Sequence, residues 1–226
     1  MNVIKDIRVY RSRSENIAGN SMPQGFANRE LNIILHRIAM KLRENDFSMG
    51  DFNHLYVNLT TCAVEDKLAA SKRERDKYHS WYCYYDAEVT QDLFDMLETH
   101  QCIEKVVEIV DQLLQKFFSA PQFDNEAIHA CVSEAFTMGE NMLMKFKEKR
   151  SAKNKAVVYL RYSDNGRYYP LLRVFDQEDA VILEKDLPET NDLDAYGEIL
   201  LSGKKVAVKP RKNNLSQKTE PIVFML

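Results

Sequence analysis

Three polar side chains in the first half of the chain, Asp51, His54 and His79, could do hydrolytic chemistry if the fold brings them together. A carboxylate and two imidazoles are the ligands and bases of a small metal-dependent hydrolase or nuclease. Two further pairs, His100 with Cys102 and His129 with Cys131, repeat an H-x-C spacing. Residues two apart on a helix point about 200° away from each other, so neither pair can clamp one ion alone. One ligand from each pair would still leave a zinc site short of its four ligands. These positions read as buried thiols and helix-surface histidines, and neither a metal nor a cofactor is expected.

The common catalytic motifs are missing. The seven glycines form neither GxGxxG nor GxxxxGK, the loops that cradle phosphates. Nor does the chain contain GxSxG, HExxH, or HxE with PCxxC, which removes the hydrolase elbow, the zincin helix and the zinc deaminase. The densest local signal is instead YHSWYCYYD at 78–86, with four tyrosines and the only tryptophan. Its residues favour strands. As a strand it presents Tyr82 and Tyr84 on one face, and Trp81, Cys83 and Tyr85 on the other. Cys83 and Trp81 favour burial, which leaves the tyrosine face to a covering helix or to a partner.

The elements that must position these residues follow from periodicity. Leu31, Ile34, Leu35, Ile38, Ala39 and Leu42 predict a helix within 26–43. His54–Thr60 alternates as a half-buried strand, with Leu55, Val57 and Leu59 on one face. The charged stretch 67–77 separates it from the aromatic strand, and an antiparallel pair is the simplest arrangement. Helices follow from Asp86 or Thr90, over 103–117 and over 125–147, with a break at Pro121. The stretch EKRSAKNK (148–155) reads as a basic linker. Beyond it, an Asn-Gly turn flanked by AVVYLRYS and YYPLLRVF predicts a hairpin, and AVILEKDL supplies a third strand. A short helix near 192–202 and strands near 205–209 and 221–225 complete the chain. The expected fold is α+β: an N-terminal helix and antiparallel strand pair, a helical middle, and a C-terminal antiparallel β-meander. Residues 1–150 form a mixed region with acidic helices. Residues 151–226 form a β-rich region, either separate from the first or packed with it as one domain.

Composition adds charge. The net charge of −3 hides three blocks. Residues 1–85 hold 13 Lys/Arg against 10 Asp/Glu, residues 86–148 hold 4 against 13, and residues 149–226 hold 14 against 11. The middle block is therefore strongly acidic. Glu88, Asp92 and Asp95, then Glu104, Glu108 and Asp111, fall at helical spacing as acidic ridges opposite the apolar stripes. Such a face is either a solvated surface or a means of steering a basic partner while repelling nucleic acid. The basic run Arg8, Arg11 and Arg13 reads as a surface arm forming intramolecular ion pairs. Four cysteines without paired spacing read as reduced thiols. No signal-peptide core and no apolar stretch of about 20 residues is present, so a cytoplasmic protein is expected.

The stretch GNSMPQGFANRELNIILHRIAMKL, followed by GDFNHLYVNLT, resembles the N-terminal part of a family of immunity proteins from bacterial polymorphic toxin systems. The resemblance covers about the first 60 residues and transfers no residue roles. It implies a protein that binds and neutralises a cognate toxin domain, often a nuclease, without enzyme activity. Nuclease toxins tend to be basic around their substrate groove, which suits an acidic, aromatic surface. The expected contacts are Tyr82, Tyr84, Glu88, Asp92, Asp95, Glu104, Glu108 and Asp111, with no nucleic acid and no membrane as partner. The rival readings are the metal-dependent hydrolase or nuclease and a structural protein of a phage or mobile element.

Overall fold

A computed structural model describes residues 2–13, 24–211 and 220–226. The loop expected at 19–25 lies outside these as far as residue 23. The fold is α+β, and the chain divides into two compact units, Met1–Gly139 and Glu140–Leu226.

The first unit is built on a four-stranded sheet. Strand β1 (Asp6–Ser12) leads through helix α1 (Arg29–Glu44) to β2 (His54–Thr60). Short β3 (Leu68–Ala70) and then β4 (Tyr82–Glu88) follow, and the sheet order is β1-β2-β4-β3. β1 pairs with β2 in parallel, β2 pairs with β4 in parallel, and only β3 runs antiparallel to β4. The expected antiparallel pairing of β2 with the aromatic strand is thus corrected. The charged stretch between them contains β3, which takes the antiparallel place at the sheet edge. β4 then returns in the same direction as β2. Burial agrees, because Leu55 to Thr60 are all buried, as suits an inner strand flanked by β1 and β4. Alternation alone carries no strand direction.

Helix α1 starts at Asn28, whose side-chain oxygen accepts from the Leu31 amide at 3.0 Å. The same side chain donates to the carbonyls of Leu97 at 2.9 Å and Thr99 at 3.1 Å, and to the Cys102 sulfur at 3.4 Å. One buried amide therefore caps the helix and fastens the chain ahead of α3 (Ile103–Phe118). Helix α2 (Gln91–Asp95) begins at Thr90, whose hydroxyl accepts from the Leu93 amide. α3 buries Val106, Val110, Leu113 and Leu114, and the ring of Tyr85 packs on Phe117 and Phe118. Helix α4 (Asn125–Met138) is capped by Asp124. It stops where the expected helix continued to 147. Gly139 turns the chain with φ 54° and ψ −130°, a conformation other residues resist.

In the second unit β5 (Met144–Arg150), β6 (Lys155–Tyr162), β7 (Tyr168–Phe175) and β8 (Val181–Asp186) form an antiparallel meander. The basic stretch 148–155 is the end of β5, a turn and the start of β6, with Arg150 opposite Lys155. A hairpin's charged outer positions are indistinguishable from a linker by composition. The Asn-Gly turn is in place, with Gly166 at φ 80°. A second sheet of β9 (Glu198–Leu201), β10 (Lys205–Lys209) and β11 (Ile222–Met225) replaces most of the expected helix near 192–202. Val158, Leu172, Val174, Tyr196, Ile199, Val206 and Val208 form the core shared by the two sheets.

At Gly197 two backbone segments of that unit meet closely. A Cβ there would lie 2.2 Å from the Arg211 amide nitrogen and 2.6 Å from the Pro210 carbonyl carbon. The Gly197 amide donates to the Lys209 carbonyl at 2.7 Å, so the two backbones cannot separate without losing the start of the β9–β10 ladder. Gly197→Ala is expected to destabilise the unit by about 2–3 kcal/mol, the usual cost of forcing atoms into a closed contact. Urea unfolding with amide exchange resolved to residues 198–209 measures it. Unchanged protection there would contradict this contact.

Candidate functional site

The two faces of the N-terminal sheet differ in chemistry. Register places Ile7, Leu55 and Cys83 in one row of the first face, and Val9, Val57 and Tyr85 in the next. The opposite face reads Asp6–His54–Tyr82, then Arg8–Tyr56–Tyr84, Tyr10–Asn58–Asp86, and Ser12–Thr60–Glu88. Period-2 alternation on three aligned strands thus sorts aliphatic from aromatic and polar residues.

Tyr56 is the centre of the second face. Its ring lies 4.7 Å from Tyr82, 5.5 Å from Tyr10 and 5.7 Å from Tyr84, in tilted and edge-on arrangements that aromatic quadrupoles favour. His54 sits 4.9 Å from Tyr82. His79 stacks on the same Tyr82 ring at 4.8 Å with planes 4° apart. It reaches there because 78–81 is a turn and not strand. Asp76 holds that turn by accepting from the amides of Tyr78 and His79, each at 2.8 Å. These bonds draw the Asp76 carboxyl below its ordinary range. Guanidinium groups lie over the tyrosines, Arg73 at 4.4 Å from the Tyr84 centroid and Arg8 at 5.9 Å from that of Tyr56.

Tyr56, Tyr84 and His54 of this face favour their neutral forms. Burial, joined by the hydrogen bond with Tyr82, raises the Tyr56 hydroxyl well above its usual range. Burial raises Tyr84 as well, with Arg73 acting against it. His54 is lowered by burial, and its Nδ1 lies 2.5 Å from the Asn53 side-chain oxygen. Burial pushes the Cys83 thiol up to about 12 and Cys131 up to about 11, so neither is a thiolate nucleophile at neutral pH.

Asn58 stands out on this face. It is 4% exposed, and its Nδ2 donates to the Asp86 carboxylate at 2.9 Å. That bond fixes the amide's orientation, since a carboxylate only accepts. Among the described residues the Asn58 side-chain oxygen is then left without a hydrogen-bond partner.

The expected residues are placed as follows. Tyr82 and Tyr84 share the aromatic face and are half-buried, while Cys83 and Tyr85 turn to the core. Glu88 ends the same face, accepting from the Val64 amide at 2.8 Å. Asp92 is exposed on α2. Asp95 is exposed but bonded to Arg13 at 3.1 Å, and the neighbouring Glu98 pairs with Arg11 at 2.6 Å. Arg13, just past β1, thereby pairs with Asp95 of the acidic ridge from outside the helix, which helical spacing cannot reveal. Glu104 and Glu108 are exposed on α3, Glu108 paired with Lys105 at 3.0 Å. Asp111 does not belong to an exposed ridge. It is 8% exposed, and His129 of α4 bonds its carboxylate at 2.7 Å. Docking of α4 buries a position that α3 alone leaves outside.

The hydrolase constellation assembles only in part. His54 and His79 meet at Tyr82, whereas Asp51 is exposed and its carbonyl accepts from the Asn2 side chain at 2.9 Å. Among the described residues no three His, Cys, Asp or Glu side chains group as a metal site. No helix among them is long and apolar enough to cross a membrane. Tyr10, Asn58 and Arg73 belong to the site without having been singled out. Alternation puts Asn58 beside Tyr56, but only strand order brings Tyr10 and Asp86 to its flanks. Compared with known protein families, with curated proteins and with solved structures, the chain shows no match.

Proposed function

We propose that the chain is a non-enzymatic binding protein of the immunity type, which occupies a cognate bacterial toxin domain in the cytoplasm through the aromatic face of its N-terminal sheet. One observation carries the reading: Tyr10, Tyr56, Tyr82 and Tyr84 form a continuous ring cluster across the parallel strands β1, β2 and β4, with Tyr10, Tyr82 and Tyr84 half-buried around the buried Tyr56. Tyrosines of this kind supply large contact area at low entropic cost, which is what interface hot spots require. Glu88, with Asp92 on the following helix, adds negative charge after the cluster, and the exposed Glu104 and Glu108 extend it on α3. Asp111 is not among the contacts, because it is buried and bonded within the unit. The neutral state of the buried hydroxyls and thiols also favours contact over catalysis.

Co-expression with the toxic domain encoded beside this protein tests the reading. Growth is expected to be rescued and a complex to form, with association slowing as salt rises. Tyr82→Ala with Tyr84→Ala is expected to weaken the complex at least about thirtyfold, equivalent to about 2 kcal/mol. Neither rescue nor a complex would end the proposal.

A further inference from the structure

We infer that the carboxyl end of the aromatic face is a guanidinium-binding site, formed by the Asn58 side-chain oxygen and the Asp86 carboxylate next to Tyr10 and to the row of Tyr56 and Tyr84. The rows Tyr10–Asn58–Asp86 and Ser12–Thr60–Glu88 close the parallel part of the sheet. Ligands of open parallel sheets gather outside the carboxyl ends of the strands, where side chains of adjacent strands converge. Here that end offers acceptors. Among the described residues the Asn58 oxygen has no donor, and a buried acceptor left unpaired is destabilising, which a bound N–H group would relieve. Among the described residues the Asp86 carboxylate beside it holds only the Asn58 amide, and no Lys, Arg or His bridges Asp86 or Glu88. The cations of β1 and of the residue after it are used elsewhere: Arg8 pairs with Asp6, Arg11 with Glu98 and Arg13 with Asp95.

These features favour a planar cation over a point charge. An amide oxygen and a carboxylate side by side match the two-pronged N–H fork of a guanidinium, and flanking tyrosines accept its flat face. The sheet already uses such stacking on this face, with Arg73 over Tyr84. The guanidinium could come from a free amine such as agmatine or from an arginine side chain of a protein. The inference rests on the toxin-binding reading for the second source, since a basic toxin would present arginine.

Titration of the full chain with agmatine, with an acetylated and amidated Gly-Arg-Gly peptide and with lysine methyl ester tests it, followed by side-chain amide resonances in 15N-resolved NMR. Saturable shifts of the Asn58 amide with agmatine or the peptide are expected, about tenfold weaker with the lysine ester. Asp86→Asn keeps an acceptor for Asn58 and removes the charge, so it should weaken binding about tenfold in a folded chain. The tighter of agmatine and peptide identifies the source. No shift with either guanidinium probe, equal binding of the lysine ester, or full binding by Asp86→Asn would overturn the site. Agmatine binding without growth rescue removes the toxin reading and leaves the site standing. Rescue without binding of either guanidinium probe does the reverse.

Discussion

Acidification from pH 7 to pH 4 is expected to remove about 3 kcal/mol of stability through one side chain, His36 of α1. Burial, reinforced by Arg43 and with Arg37 adding to it, lowers this imidazole from 6.5 to about 4, while Asp6 only partly opposes them. The folded chain therefore keeps His36 neutral over a range in which the unfolded chain takes up a proton. The sign follows from that difference. Stability is complete above about pH 6.5 and is lost as pH falls towards 4, with a slope of about 1.4 kcal/mol per pH unit for one proton. Other carboxylates also titrate on the way, so the informative quantity is the difference between native protein and His36→Gln. Urea midpoints measured from pH 7.5 to 4 should show the steeper fall only with histidine in place. Parallel curves for the two proteins would rule this out.

Asn28→Ala is expected to cost about 3 kcal/mol, more than an ordinary helix cap. Loss of the bond to the Leu31 amide accounts for about 1 kcal/mol. The remainder comes from the carbonyls of Leu97 and Thr99, which lose their donor at a buried position. Asn28→Ser separates the two contributions, because it can still cap α1 but cannot reach both carbonyls. It should recover about 1 kcal/mol relative to Ala. Thermal and urea unfolding give both numbers. An alanine variant that loses no more than 1 kcal/mol would mean that the link to the chain ahead of α3 contributes nothing.

Much of the local architecture is legible in the residues. The spacing of Leu31, Leu35, Ile38 and Leu42 marks α1, and the wide stripe from Ile103 to Phe117 marks α3. The Asn-Gly pair marks the β6–β7 hairpin. Alternation in 82–85 correctly separates Tyr82 and Tyr84 from Cys83 and Tyr85. The misreadings share one cause. At 139–150 a helical pattern runs on in composition, but Gly139 ends α4 and the following residues alternate as β5. At 148–155 the charges belong to the outer positions of a hairpin. In both cases the deciding partner is β6, the other arm of the hairpin, whose pairing composition does not record.

By itself the sequence determined which side chains share a face of their own element, because that depends only on the periods of helix and strand. It also determined the acidic middle block and the absence of the common catalytic motifs. Only the tertiary structure decided that β1, β2 and β4 run parallel, which sets Tyr10, Asn58 and Asp86 in one row. It alone buried Asp111 against His129 and brought Arg11 and Arg13 onto Glu98 and Asp95. Strand direction and order come from the burial of nonlocal surfaces, to which a local period is blind.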